Sequence, residues 1–107
     1  MDLNSIIVLG ELMKHQTNRG EQPHLYFVRD KYGEVDCVLE TSTGLALAEV
    51  KATSTYTKEH GAKLAYFGKL FDIPTERRYI IYSGETQSRS DIQLVNITDL
   101  EAIVGGP

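Results

Sequence analysis

Glu34-Val35-Asp36-Cys37-Val38-Leu39-Glu40 and Leu45-Ala46-Leu47-Ala48-Glu49-Val50-Lys51 lie on either side of a short turn at 41–44. The first segment alternates strictly. In an extended chain Val35, Cys37 and Leu39 point one way, while Glu34, Asp36, Val38 and Glu40 point the other. The second segment opens a strand over 45–52 that is apolar on both sides until its end, as expected of a central strand covered on both faces. A turn this short makes the two strands antiparallel neighbours. They predict the inner hairpin of a sheet, and its buried strand ends in Glu49-Val50-Lys51.

Upstream, Leu25-Tyr26-Phe27-Val28-Arg29 is rich in aromatic and branched residues and predicts a strand, followed by a turn at 30–33. Before it, residues 4–16 fit a helix capped by Asn4 or Ser5, with Gly20 beyond its end and a linker at 21–23. Ile6, Leu9, Gly10 and Met13 form its packing stripe, but Ile7 and Val8 make the first turns apolar nearly all round. Glu11 is the only charge there, which predicts a carboxylate half-buried or facing a cleft.

Downstream, a polar loop at 53–57 leads to a helix over 58–71. Its expected buried stripe is His60, Leu64, Phe67 and Phe71, with Lys58, Ala62, Ala65 and Lys69 on the other side. A fourth strand over 78–83, a loop at 84–90 and a short strand at 92–95 follow. Thr98-Asp99-Leu100-Glu101 has the spacing of a capping box and predicts a last short helix, and 105–107 a frayed end. The order is αβββαβ plus a short strand and helix: one α/β (α+β) domain with a mixed central sheet flanked by helices.

Composition narrows the function. The 107 residues carry 11 Lys and Arg against 15 Asp and Glu, a net charge of −4, and their 41% hydrophobic content is ordinary for a globular domain. A single cysteine, Cys37, excludes an internal disulfide, and no Cys/His zinc pattern exists. No apolar run is long enough for a bilayer, so no membrane partner and a cytoplasmic location are expected. An acidic chain also lacks the basic stripe that grips phosphate backbones without regard to sequence. Local cations or a bound metal would have to supply that attraction. There is no Gly-x-x-x-x-Gly-Lys loop, so the chain itself is no ATPase.

Alternation puts Glu49 and Lys51 on one face at the end of their strand, and the hairpin brings Asp36 alongside. Facing residues on antiparallel strands have Cβ atoms roughly 5 Å apart, so two carboxylates can converge on a hard cation such as Mg²⁺. The lysine could orient a water or stabilise charge on a phosphate. The plainer reading is a cross-strand salt bridge. A Glu-x-Lys pair arises by chance roughly once in such a chain, and only its place at the end of an apolar strand raises it.

The pattern resembles the PD-(D/E)XK nuclease superfamily. The run Tyr26-Phe27-x-Arg29-Asp30-x-x-Gly33-Glu34-Val35-Asp36, followed by Leu45 to Lys51, is similar to the C-terminal domain that follows the P-loop module in a large prokaryotic family of AAA-type ATPases. Leu12-Met13-Lys14 after Glu11 and Ile80-Ile81-Tyr82-Ser83-Gly84 also fit, so residues 4–104 are covered. The resemblance implies a restriction-endonuclease-like core and Mg²⁺- or Mn²⁺-dependent hydrolysis of DNA phosphodiesters. Asp36, Glu49 and the Val50 carbonyl would hold the metal, Lys51 would activate the attacking water, and Glu11 would complete the acidic edge. Partners would be DNA and an ATPase domain in cis or in trans, and a homo-oligomer is compatible. The chain would then be a single domain, 1–107, excised from a larger ATPase-containing protein. Many superfamily members place a Gln and a Tyr four apart on the helix after the lysine. Here Lys63 and Phe67 stand at that spacing, which argues against a processive, helicase-coupled exonuclease.

Other candidates read as structural. His15, His24 and His60 lack acid or cysteine neighbours at ligand spacing, and Cys37 belongs to a buried face. Glu34 is expected as a solvated strand acid. Lys58, Lys63, Lys69, Arg77 and Arg78 could supply local positive charge, and Tyr26, Tyr32, Tyr56 and Tyr66 could stack bases. Two readings stand: a metal-dependent nuclease domain, and a catalytically inactive copy of that fold serving as a binding or assembly module of an ATPase.

Overall fold

A computed structural model describes residues 3–18, 20, 24–29, 35–41, 44–51 and 53–104. The linker at 21–23, the turn at 30–33, Glu34 and the end at 105–107 lie outside the described residues, as do the side chains of Ile6, Asp36, His60 and Lys63. The elements are α1 (Leu3–Asn18), β1 (His24–Arg29), β2 (Val35–Thr41), β3 (Gly44–Val50), α2 (Lys58–Leu70), β4 (Arg78–Tyr82), β5 (Gln87–Ser88), β6 (Gln93–Asn96) and α3 (Glu101–Val104), with a 3-10 turn at Thr75–Arg77 before β4.

The architecture is mixed α+β: a six-stranded sheet of order β1-β2-β3-β4-β6-β5 flanked by helices. β1, β2 and β3 form an antiparallel meander. β3, β4 and β6 are parallel, and β5 returns antiparallel on β6 as the far edge. Parallel neighbours need a crossover, and α2 is the one that carries the chain from β3 to β4. Gly44, with φ of 123°, opens β3 at the hairpin, a backbone conformation that only glycine adopts without strain.

Period-two alternation divides the sheet into two cores. Cys37, Leu39, Ala46, Ala48, Tyr79, Ile81 and Val95 pack with Val8, Leu9 and Leu12 of α1 and with Leu100 and Ile103 at α3. Val38, Leu47, Ile80, Tyr82 and Leu94 pack with Leu64 and Phe67 of α2. Each fully buried leucine or isoleucine contributes about 1.5–3 kcal/mol, so both layers are held chiefly by hydrocarbon. Cys37 fills the first core, as expected of its alternation. No helix among the described residues is long and apolar enough to cross a membrane.

Several local expectations shift. The buried stripe of α1 is Val8, Leu9, Leu12 and Gln16, while Gly10 is exposed and Met13 half-buried. An apolar first turn offers more than one stripe, and the sheet selects the one ending in Gln16, whose amide donates to the Glu40 carbonyl at 2.8 Å. Helix α2 stops at Leu70 because Asp72 takes the left-handed conformation, φ 56°, and the Ile73 amide bonds back to the Gly68 carbonyl at 2.8 Å. Ile73 is thereby buried, whereas Phe71 stays 38% exposed and stacks on Phe67. The capping box at 98–101 does not form. The Thr98 hydroxyl donates to Asn96 Oδ1 at 2.7 Å, and the helix starts at Glu101.

Candidate functional site

Glu49 is the next-to-last residue of β3 and lies on the α2 face, in step with Leu47. Val50 packs into the opposite core, so Lys51 returns to the side of Glu49. The Lys51 amide donates to the Ile81 carbonyl at 2.9 Å, which ties the backbone of the lysine to β4 one step past the strand end. Lys51 Nζ then lies 3.2 Å from Glu49 Oε1. The glutamate side chain is only 6% exposed and the lysine 30%. A carboxylate removed from water to that degree is tolerated because a cation faces it, and losing that cation typically costs about 3–5 kcal/mol.

Asp36 belongs to β2, which pairs with β3 through Cys37↔Ala48 and Val38↔Leu47. Carried one position further, this antiparallel register sets Asp36 against Glu49. The placement is one of backbone only, because the Asp36 side chain lies outside the described residues.

Glu11 is in a different setting. Its neighbours Val8, Leu9 and Leu12 pack on the face opposite to Glu49. The Glu11 carboxylate is 51% exposed and lies 3.7 Å from Lys14 Nζ, one helical turn on. It is more exposed than the half-buried setting expected of it. The structure thus brings together Glu49 and Lys51, aligns Asp36 with them through the hairpin, and leaves Glu11 on the outer side of α1.

A buried carboxylate whose counter-charge is a lysine at 3.2 Å is an oxygen donor of the type Mg²⁺ takes, usually one or two carboxylates with waters completing the shell. Glu49, the Val50 carbonyl and Asp36 fit that donor chemistry. Among the described residues no group of three or more His, Cys, Asp and Glu side chains could hold a metal ion.

The remaining cations divide into two kinds. Arg77 donates to the Tyr79 hydroxyl at 3.0 Å, the Ile103 carbonyl at 3.3 Å and Thr41 Oγ1 at 2.8 Å, tying the hairpin turn to α3. Arg78 Nε donates to the Ile73 carbonyl at 2.8 Å, with its side chain lying against Gly68, where a Cβ would collide with it. Both arginines are engaged inside the fold. Lys58 and Arg89, in contrast, are exposed and line a groove of about 830 Å³ between the first turns of α2 and the segment 87–91. The Arg89 guanidinium lies over the Tyr56 ring at 5.4 Å. Burial, with the nearby Asp91 carboxylate, pushes the Tyr56 hydroxyl above its ordinary pKa of 10.0, and Arg89 opposes the shift. The sequence offered no periodic signal for this groove, because its two walls are a loop and a helix flank 22 or more positions apart. His24, read as isolated, meets Glu40 across β1 and β2 at 3.1 Å. That exposed pair is a strand-edge contact.

Neither a curated protein nor a solved structure matches this chain. A family match does exist and covers most of its length. Residues 6–100, from the first turn of α1 to the residue before α3, match the family described as Domain of unknown function (DUF4143), and the chain belongs to that family.

Proposed function

We propose that this chain is a metal-dependent nuclease domain of the PD-(D/E)XK type that hydrolyses DNA phosphodiester bonds and works with an AAA-type ATPase. The observation that carries the reading is the Glu49–Lys51 pair: a 6%-exposed carboxylate and a lysine 3.2 Å apart at the end of a buried strand, with Asp36 next in register on β2. The element order α1-β1-β2-β3-α2-β4 supports a restriction-endonuclease-like core. The occurrence of the family in AAA-ATPase-associated proteins supports the partner. Asp36, Glu49 and the Val50 carbonyl would hold Mg²⁺ or Mn²⁺, which would polarise the phosphate and lower the pKa of a bound water. Lys51 would hold the attacking water and offset charge on the phosphate.

A second reading is favoured by one specific observation. Glu11 is exposed and ion-paired with Lys14, so the acidic edge expected of an active nuclease lacks its helical member. In that reading Glu49–Lys51 is a structural ion pair, and the domain is a catalytically inactive binding or assembly module of an ATPase. Supercoiled-plasmid nicking in Mg²⁺ and in Mn²⁺ separates the two. The nuclease reading expects nicking that is lost in Asp36→Ala and in Glu49→Gln. Nicking retained in both variants, or absent from the wild type with its ATPase partner supplied, favours the inactive module.

A further inference from the structure

We infer that the groove between the N-terminal half of α2 and the segment 87–91 binds the phosphate backbone of a nucleic-acid strand, as a site separate from the Glu49–Lys51 pair. The identity of the ligand rests on the nuclease reading; the groove itself does not. Its two cations, Lys58 and Arg89, are exposed at the rim of an 830 Å³ depression, with one acid, Asp91, among the lining residues. Lys58 opens the 13-residue helix α2, so the positive end of the helix dipole adds to the lysine. Over the lining residues the balance is positive by one charge, on a chain whose net charge is −4, with the exposed Glu59 beside Lys58 but outside the lining.

The shape suits a flexible polyanion. Gly61 keeps the helix flank low: a Cβ there would collide with the Tyr56 hydroxyl, so the ring lies close against the helix backbone. The Arg89 guanidinium lies over the Tyr56 ring, which itself packs on the second core, and the exposed guanidinium is a plane of the sort on which bases stack. Gln87 and Ser88 are exposed hydrogen-bonding side chains, of the kind that position phosphates while carrying no base information. An extended peptide is the less suited occupant. The strand that would template it, β5, is two residues long, and strand addition draws its affinity from a longer ladder of main-chain bonds.

Position links the groove to the pair. Tyr56 is five residues beyond Lys51, so their Cα atoms lie within about 18 Å along even a fully extended chain. A strand whose phosphate rests at Lys51 would reach the groove within about five nucleotides, taking 3.4 Å per step. The groove would thus hold the flank of the substrate, and it would supply the local positive charge that the overall composition lacks.

The test is fluorescence anisotropy of a labelled single-stranded oligonucleotide in EDTA, which removes any contribution from a metal. The Lys58→Gln/Arg89→Gln double variant, both positions being exposed, is expected to bind at least ten-fold more weakly, with a salt slope shallower by about two. Asp91→Asn is expected to bind two- to three-fold more tightly, and Asp36→Ala to bind as the wild type does. Unchanged binding in the double variant, or no binding by the wild type, overturns the groove. Displacement of the oligonucleotide by poly-glutamate at equal charge also overturns it, in favour of an acidic peptide. Wild-type binding that the double variant loses, with no plasmid nicking, would sink the catalytic reading and leave the groove standing.

Discussion

The two faces of the sheet are made by the same strands and treat polar groups differently. On the side of α1 and α3, the inward residues of β2, β3, β4 and β6 are Cys37, Leu39, Ala46, Ala48, Tyr79, Ile81 and Val95, covered by hydrocarbon and by the neutral Gln16 amide of α1. On the side of α2 the same strands supply Val38, Leu47, Ile80 and Leu94, but the row along β3 continues into Glu49 and then Lys51. A buried carboxylate there is a liability for stability. The first face shows what the strands do when only packing is required. The departure of the second, confined to the last residues of β3, marks where the chain holds a charged pair that packing alone would not choose.

That contrast can be broken most severely at Lys51. Lys51→Met leaves the Glu49 carboxylate buried without its cation and should destabilise the domain by about 3–5 kcal/mol, measured by urea unfolding. Combining it with Glu49→Leu should recover most of the loss. A cost below about 1 kcal/mol for Lys51→Met would show that the pair is effectively solvated and that the two faces are alike. Next in size is Leu39→Ala, deep in the first core, with an expected loss of about 3 kcal/mol. Near-neutral behaviour there would mean that the first core is loosely packed.

Smaller changes sharpen the contrast. Asp72→Gly at the end of α2 relieves a left-handed residue, φ 56°, and should stabilise the domain by about 1 kcal/mol in the same assay. A loss of stability instead would show that the Asp72 side chain contributes more than its backbone costs. The smallest effect is expected for Glu11→Gln. An exposed pair such as Glu11–Lys14 contributes about 0.5 kcal/mol or less, and a loss above about 2 kcal/mol would place that acid in a setting far more buried than its 51% exposure.

The hairpin and the central strand were legible in the sequence because both carry a pattern that a single conformation satisfies. Strict alternation in β2 and two-sided hydrophobicity in β3 leave little choice of register, and register alone brings Asp36 to Glu49. The stripe of α1 was less legible. Ile6, Ile7, Val8 and Leu9 make the first turns hydrophobic all round, so the sheet, not the helix, picks the buried side. Its selection of Gln16 depends on a carbonyl of Glu40 24 residues away. Glu11 lies off the stripe in either setting, and its 51% exposure follows from what the sheet leaves uncovered: Ile7, one turn before it, is itself 56% exposed. Strand β5 is two polar residues at an edge, and no periodicity exists in two residues. The roles of Arg77 and Arg78 were hidden because their partners, Thr41, Ile103 and Ile73, become neighbours only after folding.

The central claim is that Asp36 and Glu49, without Glu11, form a divalent-cation site. Calorimetric titration of Mn²⁺ into the wild type, Asp36→Ala and Glu11→Gln tests it directly. The account predicts one binding event in the wild type, its loss in Asp36→Ala and its retention in Glu11→Gln. No binding in the wild type, or equal binding in Asp36→Ala, would contradict it and leave Glu49–Lys51 as a structural ion pair.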